Sequence, residues 1–226
     1  TPGGRVNYAG DAHIDGVPGA SAPITINFLD TAGSVCAGLL PTGRVRDTID
    51  GIEVTCIDNG MPLVILRAAD VGCSGYESVA ELNADAPLKA RIERLRLACG
   101  EAMGLGDVSA RNYPKMTLVA PPRAGGSIST RSFIPHVCHD AIGVLAAVTV
   151  GTACVLDGSV TAGIAVVPAG RSKKISVEHP TGEFSVELEL DPENPQNVRR
   201  AALLRTARLI MRGEVMVPAE VWPGKA

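Results

Sequence analysis

Aromatic side chains are scarce in this chain, which has 226 residues but only three Phe, three Tyr and one Trp. Large rings therefore cannot dominate the core, and Val, Leu, Ile and Ala must fill it. Turn-forming residues are frequent, with 25 glycines and 16 prolines. Because glycine and proline favour turns, we expect short structural elements joined by many turns.

An excess of positive charge is also absent, since 21 Lys and Arg residues stand against 24 Asp and Glu residues. Nucleic-acid binding needs a clustered basic surface, so a formal net charge of −3 without basic runs argues against that partner. The sequence has no uninterrupted apolar stretch of about 18 residues, which argues against a membrane span. Signal and lipidation motifs are missing too.

Paired cysteines are a further absence, because no two of them form a C-x-x-C motif. Six cysteines are scattered through the chain, at Cys36, Cys56, Cys73, Cys99, Cys138 and Cys154. Without a secretory signal, this spacing favours free thiols in a reducing cytoplasm over a disulfide framework. We expect most of them to serve as small hydrophobic core residues.

The chain also lacks an initiating Met. It begins Thr1-Pro2-Gly3-Gly4, without a helix-capping signal, and continues directly into an extended pattern. We interpret the sequence as a piece of a longer protein.

Short β-type runs separated by turn residues predict a mixed or antiparallel sheet. The clearest run is 183–190, where Phe184, Val186 and Leu188 alternate with polar residues, as in a half-buried strand. The predicted strands span residues 23–28, 52–57, 62–66, 115–120, 128–133, 164–167, 174–178, 183–190, 201–209 and 214–217.

A helical block follows the first strands. Ser78 and Glu81 fit a capping box, in which the two side chains accept hydrogen bonds from the first backbone amides of a helix. After Pro87, apolar residues recur every three or four positions, which predicts an amphipathic helix covering a sheet. These residues are Leu88, Ile92, Leu95 and Cys99, with Gly100 as the expected stop.

The segment 138–155 is apolar on almost every side. A helix that is hydrophobic all round is buried all round, so we predict a central helix here. The whole pattern predicts an α+β fold, with a mixed or antiparallel sheet wrapped around this helix, rather than a doubly wound βαβ fold. The sequence contains no phosphate loop, dinucleotide-binding G-x-G-x-x-G or G-x-S-x-G elbow.

A candidate anion-binding site lies at the expected amino terminus of that helix, within residues 131–140. Free backbone amides and the helix dipole favour an anion at such an end. Four polar side chains accompany it in the sequence: Arg131, Ser132, His136 and His139. A thiol at Cys138 would have its pKa lowered there, and would gain nucleophilic and basic character.

Each of these residues also has a structural interpretation. Cys138 can be a small residue of the first helical turn, and Arg131 can be a surface residue at a strand end. One histidine can bond locally while the other faces the site. His136 and His139 could also ligate a metal, but two ligands without a third give weak support, and we predict no metal site.

A second candidate region is the turn formed by Asn59, Gly60 and Met61, between two strong strands. Glycine allows close approach of the backbone, and Asn59 tolerates a left-handed conformation. The turn can therefore face a ligand or simply close a hairpin. Lys115 starts a later strand, where it can offer a charge to a ligand or be solvated.

Ordered motifs that extend over almost the whole chain resemble the PrpF-like family of isomerases. The motifs are Tyr8-Ala9-Gly10-Asp11, Ile14-Asp15-Gly16-Val17-Pro18-Gly19, Leu40-Pro41-Thr42-Gly43, Cys56-Ile57-Asp58-Asn59-Gly60-Met61-Pro62, Pro114-Lys115-Met116, Arg131-Ser132-Phe133-Ile134-Pro135-His136 and Leu203-Leu204-Arg205-Thr206-Ala207-Arg208.

The resemblance implies a diaminopimelate-epimerase-like fold. Two similar α/β halves would each curl a sheet around a central helix, with the site in the cleft between them. Residues 1–60 would then hold the end of the first half and the crossover strands, and residues 61–226 the second half. Because members of the family are longer, the N-terminal half with the usual acid and base residues would be missing. The exposed edges of such curled sheets would allow a homodimer.

The implied reaction is a 1,3-proton shift that interconverts keto and enol forms of a small unsaturated tricarboxylate in the degradation of aromatic compounds. It would need no metal and no organic cofactor. The resemblance makes Asn59, Gly60 and Met61 a substrate-facing turn. The side chains expected to bind substrate carboxylates are Lys115, Arg131, Ser132 and His136. Cys138 and His139 would line the cleft as candidate catalytic residues.

One departure from the family pattern and two alternatives accompany this interpretation. Val137 stands where an arginine commonly follows His136 in the family, so one cationic contact is lost. A related isomerase of the family would act on aconitate or methylitaconate through different loops around the cleft. An inactive fragment would only bind an anion or pack against a partner.

Overall fold

A mixed β-sheet of nine strands forms the frame of the computed structural model, which describes residues 2–194, 197–222 and 224. The strands are β1 (Pro23–Phe28), β2 (Asp47–Ile49), β3 (Ile52–Asp58), β4 (Pro62–Arg67), β5 (Lys115–Ala120), β6 (Ile128–Phe133), β7 (Ser172–His179), β8 (Gly182–Leu190) and β9 (Val198–Thr206). Their order across the sheet is β1-β9-β8-β7-β6-β5-β4-β3-β2. The pairs β4–β5 and β6–β7 are parallel, which makes the sheet mixed.

Three α-helices accompany the sheet in the described part of the chain. They are α1 (Val79–Ala84), α2 (Ala86–Ala102) and α3 (Val144–Val155), with short 3-10 turns at Pro2–Gly4 and Ala68–Val71. Helix α3 packs against β3, β4, β7 and β8, whereas α2 packs against β2 and β5.

Strand β4 shows how the sheet separates two cores. Leu63 and Ile65 pack in the core that contains α3, whereas Val64 and Leu66 pack in the core that contains α2. Successive side chains of a strand point to opposite faces, so α3 and α2 cover opposite faces of the sheet. A strand covered on both faces is apolar throughout, which accounts for the uninterrupted run at 62–66.

Helix α3 is covered on all sides, since residues 146–153 are all buried. Full burial of one valine side chain contributes about 1.5–3 kcal/mol, and both Val148 and Val150 of this helix are fully buried. Its two threonines satisfy their hydroxyls within the helix: Thr149 donates to the carbonyl of Leu145 (2.9 Å) and Thr152 to that of Val148 (2.9 Å). The predicted α+β fold, a mixed sheet around a buried central helix, is confirmed.

The capping box and most predicted strands are also confirmed. Glu81 N–H donates to Ser78 Oγ at 3.2 Å, and Ser78 N–H donates to the Glu81 carboxylate at 2.8 Å. The strand predicted at 164–167 is wrong, because residues 159–165 form consecutive turns. The buried hydroxyls of Ser159 and Thr161 lie 2.8 and 3.1 Å from the carbonyl oxygen of Ala153, and such side-chain bonds favour turns over a strand.

The strand predicted at 214–217 is wrong as well. Val215, Met216 and Val217 are exposed and have no regular secondary structure, and no ladder pairs them within the residues that the structure describes. Strand β9 likewise ends at Thr206 rather than at residue 209. An alternating pattern becomes a strand only where a neighbouring strand accepts its backbone hydrogen bonds.

The predicted helix stop at Gly100 is wrong, since α2 continues to Ala102. The actual stop is Gly104, with φ 72°, a left-handed conformation that glycine adopts without strain. Gly104 N–H donates to Glu101 O and Leu105 N–H to Gly100 O, both at 2.9 Å, which is the Schellman arrangement. Gly100 instead leaves room for the side chain of Val108, because a Cβ at position 100 would lie 2.5 Å from Val108 Cγ2.

The predicted start of the central helix at Cys138 is wrong too. Helix α3 begins at Val144, after the N-cap Gly143. The preceding segment turns back on β6: Cys138 forms an antiparallel bridge with Phe133, and His139 N–H donates to Ser132 O at 2.8 Å. These strand-type bonds occupy the backbone that the apolar pattern assigns to the helix.

The chain divides into a large unit, residues 25–204, and a small unit of residues 1–24 and 205–226. The division at residue 60 that the family resemblance implies stays a prediction. Within the small unit, Ala12 and Ser21 form an antiparallel bridge, and the Arg208 guanidinium donates to Pro18 O at 2.8 Å. The candidate site described below lies entirely in the large unit.

The helices formed by the described residues are all too short or too polar to cross a membrane.

The contact at Gly100 leads to a stability test. In a helix, alanine is intrinsically more favourable than glycine by about 1 kcal/mol, but the new methyl group of Gly100→Ala would collide with Val108. We expect overpacking to prevail and the free energy of unfolding, measured in urea, to fall by about 1 kcal/mol or more. Ala90→Gly, at an exposed position of the same helix, is the control and should lose about 1 kcal/mol. A stabilised Gly100→Ala protein would contradict the tight contact.

Candidate functional site

The amino terminus of α3 is the centre of the candidate site. The first N–H groups of an α-helix have no partners within the helix and carry the positive end of its dipole. The N-cap is Gly143, with φ −67° and ψ 148°, and glycine has no side chain with which to satisfy these groups. The buried helix therefore presents backbone donors at this end, as the sequence predicts, although it begins six residues after the predicted start at Cys138.

Lys115 supplies a positive charge beside this end. Its Nζ lies 3.8 Å from the position that a Cβ on Gly143 would occupy. The side chain is partly buried, and burial lowers the pKa of Lys115. Among the described residues, no hydrogen bond or ion pair satisfies its ammonium group. A desolvated cation next to helix amides is suited to binding a carboxylate.

Ser132 lies on the same face of the sheet. It pairs with Thr117 across β5 and β6, and the two hydroxyls are 3.0 Å apart and buried. Thr117 is two residues from Lys115 along β5, so their side chains share the face that α3 covers. Because either hydroxyl can donate to the other, one hydrogen of the pair stays available for a nearby acceptor.

The turn between β3 and β4 packs against the first turn of α3. Gly60 has φ 91°, and a Cβ there would lie 3.0 Å from Leu145 Cδ2 and 3.5 Å from Thr31 Cβ. Glycine is therefore required both for the backbone conformation and for the close approach. Met61 follows and packs at the edge of the α3 core.

The side-chain amide of Asn59 is bonded at both ends. Its Nδ2 donates to Thr152 Oγ1 at 2.8 Å, and its Oδ1 accepts from Thr31 Oγ1 at 2.6 Å. Only 6% of Asn59 is exposed. These contacts fix the turn to the middle of α3, and its role in binding a substrate stays a prediction.

Arg131 lies on the other face of the sheet from Ser132. Its Nε donates to Glu77 O at 2.7 Å and its Nη1 to Thr130 O at 2.8 Å. Burial lowers the pKa of Arg131, while nearby Cys138 and Glu77 oppose that shift. The adjacent positions 131 and 132 thus serve different faces, and the structure separates two side chains that the sequence places in one site.

Cys138 is also on the face of α2. It is 2% exposed, and its N–H donates to Asn83 Oδ1 at 2.8 Å. Burial raises the pKa of Cys138 to about 11, and the positive charge of Arg131 offsets this only in part. The predicted lowering of this pKa is wrong, because Cys138 is not at a helix amino terminus.

The two histidines of this segment are exposed and have separate contacts. His136 Nδ1 lies 3.5 Å from Glu93 Oε2, a carboxylate that also binds the buried Arg96 guanidinium at 2.7 Å. His139 Nδ1 accepts the N–H of Ala141 at 2.8 Å. The neutral imidazole of His139 must therefore carry its hydrogen on Nε2, as a donor.

The structure thus brings together Lys115, Ser132 and the turn at Gly60 around the start of α3, and it places Arg131 and Cys138 across the sheet. Sequence reasoning misses Thr117, whose hydroxyl is visible only once β5 and β6 are paired. It also misses Gly143 as the N-cap. A signal for it exists, since glycine is an accepted N-cap residue and directly precedes the apolar run.

The pKa of Cys138 leads to a labelling test. A thiolate is the reactive form, so a buried thiol with a pKa of about 11 should stay unreactive near neutral pH. Burial also raises the pKa of Cys73, but the side chain is more accessible, so we expect iodoacetamide to label Cys73 faster than Cys138 at about pH 7.5, as measured by peptide mass spectrometry. Labelling of Cys138 should increase only as the pH approaches 11. Faster reaction of Cys138 than of Cys73 near neutral pH would contradict this environment.

Comparison with known proteins identifies a family and several relatives that are named isomerases. The family model described as PrpF protein matches residues 1–218. A (4E)-oxalomesaconate Delta-isomerase of Novosphingobium sp. (strain KA1) is 59% identical over 217 residues, which cover 96% of this chain and 60% of the relative. A 4-oxalomesaconate tautomerase of Pseudomonas putida is 51% identical over 224 residues, which cover 99% of this chain and 61% of the relative.

A solved structure supports the same relationship. The crystal structure of a methylitaconate-delta-isomerase matches with a TM-score of 0.83 and 28% identity, over 94% of this chain and 60% of that chain. This similarity confirms the fold that the family resemblance implies. The present chain spans about 60% of the length of the relatives it matches. On the match over residues 1–218 and the identity to curated isomerases, the chain belongs to the PrpF family.

Proposed function

We propose that the protein is an isomerase that catalyses a 1,3-proton shift in 4-oxalomesaconate, a keto–enol tautomerisation. The observation that carries this proposal is the partly buried Lys115 ammonium group beside the amino terminus of α3. An unsaturated tricarboxylate needs such positive groups for its carboxylates. The substrate is taken from the two relatives at 59% and 51% identity, whose names both contain oxalomesaconate.

The chemistry requires a base at the carbon acid and an acid at the other end of the conjugated system. A C–H bond breaks and an O–H bond forms, or the reverse, so the composition of the substrate is unchanged and no oxidant is needed. Negative charge accumulates on the substrate oxygen in the transition state, and fixed cations or amides stabilise it. The α3 amides and Lys115 are groups of this kind.

We assign the roles within the site as follows. Lys115 and the first amides of α3 bind one substrate carboxylate, and the Ser132–Thr117 pair offers a hydroxyl hydrogen on the same face. His139, with a hydrogen on Nε2, is a candidate proton donor. Burial raises the pKa of Cys138 to about 11, so its thiol stays protonated at neutral pH and cannot accept a proton there. The predicted contacts of Arg131 and His136 with substrate remain untested.

The wider setting of the enzyme is part of the proposal. We place it in the cytoplasm and in the breakdown of aromatic compounds such as gallate, without a metal or organic cofactor. A homodimer stays a prediction. Isomerisation of methylitaconate is the main alternative, favoured by the structural similarity to the methylitaconate isomerase. Aconitate as substrate and an inactive, anion-binding fragment are the other two.

Substitution of Lys115 tests the proposed site. Lys115→Met keeps the length of the side chain but removes its charge, so we expect kcat/KM for 4-oxalomesaconate to fall about 100-fold. The measurement is the change in ultraviolet absorbance during tautomerisation. Lys174→Met, at an exposed position of β7, is the matched control and should retain activity.

Three outcomes would contradict the proposal. Unchanged turnover in Lys115→Met would remove Lys115 from the site. Faster turnover of methylitaconate or aconitate than of 4-oxalomesaconate by the unmodified protein would identify a different isomerase. No turnover of any of the three substrates would favour the anion-binding fragment.

A further inference from the structure

A buried carboxylate holds the loop that precedes the candidate site. Asp58 is the last residue of β3, and its side chain is completely buried. Its Oδ1 accepts the hydroxyl of Ser34 at 2.8 Å, and its Oδ2 accepts the N–H groups of Val35 and Cys36 at 2.8 and 2.9 Å. All three donors come from one short loop.

The same loop is tied to the backbone of β3. Gly33 N–H donates to Asp58 O at 2.8 Å, and Asp58 N–H donates to Leu39 O at 2.9 Å. Ala32 and Asn59 form an antiparallel bridge. Residues 31–39 therefore wrap around the carboxyl end of β3, and Asp58 is at the centre of these contacts.

The loop reaches the candidate site through Thr31. The Thr31 hydroxyl donates to Asn59 Oδ1 at 2.6 Å, and the Thr31 Cβ borders Gly60. The same Cβ position on Gly60 also borders Leu145, in the first turn of α3. A displacement of the loop would move Thr31 and release the turn that packs beside the helix amino terminus and Lys115.

The Asp58 carboxylate is stabilised by dipoles. Within the described ranges, no cationic side chain forms an ion pair with it, so the two amides and the hydroxyl are its compensation. Burial of a charge is costly unless hydrogen bonds replace its water, and each of these bonds to a charged acceptor is correspondingly strong. Burial and the nearby Asp58 together raise the pKa of Cys36 to about 12, which keeps that thiol protonated.

We propose that Asp58 is a positioning residue, which orders the loop 31–36 and thereby holds Thr31 and the Gly60 turn against the start of α3. This inference rests on the proposed function, because the affinity it sets is that of the isomerase site. Asp58 touches no substrate atom itself and acts through the loop.

Asp58→Asn is the principal test. The amide keeps the shape of the side chain but places an NH₂ group against one of the loop donors, which leaves a buried donor unsatisfied. Hydrogen exchange, resolved by mass spectrometry, should become about tenfold faster at the amides of Val35 and Cys36. KM for 4-oxalomesaconate should rise about five- to tenfold, with kcat within about twofold of the original value.

Two further variants make the test specific. Ser34→Ala removes one of the three donors from an exposed position and should give smaller changes in the same directions, even if Asp58→Asn fails to fold. Asp107→Asn is the matched control. Its exposed carboxylate accepts the N–H of Ser109 at 2.8 Å in a separate loop, and neither the exchange at residues 33–37 nor KM should change.

The outcomes separate this inference from the proposed function. Unchanged exchange in Asp58→Asn, or in Ser34→Ala if the former does not fold, would overturn the role of Asp58 in ordering the loop. Faster exchange with unchanged KM would overturn its role in the site. If the unmodified protein does not turn over 4-oxalomesaconate, the proposed function fails, while the exchange measurements still decide whether Asp58 orders the loop.

Discussion

The burial of helix α3 is the constraint on which the rest of the structure depends. Because residues 146–153 have no exposed side, the sheet, the turns at 159–165 and the β3–β4 turn must close around them. The polar groups inside are few and paired, as Thr152 shows by accepting from Asn59 and donating to Val148 O. The start of the helix is the part that can bind a ligand, because its backbone amides lie beside Lys115.

The alternation of side chains along β5 and β6 determines which polar residues can act together. Ser132 and Lys115 belong to the face of α3, whereas Arg131 belongs to the face of α1 and α2, where it binds the carbonyls of Glu77 and Thr130. Because successive side chains of a strand point to opposite faces, two neighbours in the sequence cannot contribute to the same site when both faces are covered. The two cations therefore have different roles: Arg131 binds the segment that precedes α1 to the sheet, whereas Lys115 stays available to a ligand.

Carboxylates order the loops of this glycine-rich chain. Glu178 accepts the backbone N–H groups of Arg123, Ala124 and Gly126 at 2.7–2.8 Å, and Glu77 accepts those of Ser74 and Gly75. Asp58 does the same for the loop at 33–36. Loops without large side chains have little apolar surface to bury, so bonds from their amides to a carboxylate replace hydrophobic anchoring. Of the three, the loop held by Asp58 is the one that contacts the Gly60 turn.

Local patterns by themselves determined much of this protein: the capping box at Ser78, most strands, the buried central helix and the family resemblance. Tertiary contacts decided the rest. The sequence favours Gly100 as the helix stop, whereas in the structure Gly104 adopts the left-handed conformation and closes the Schellman hydrogen bonds, while Gly100 packs against Val108. The helix starts at Val144 because Cys138 pairs with Phe133, and apolar periodicity cannot register such pairing. Lys115 and Gly143 are 28 positions apart in the sequence and come into contact only because β5 and α3 pack together, which local sequence patterns do not show.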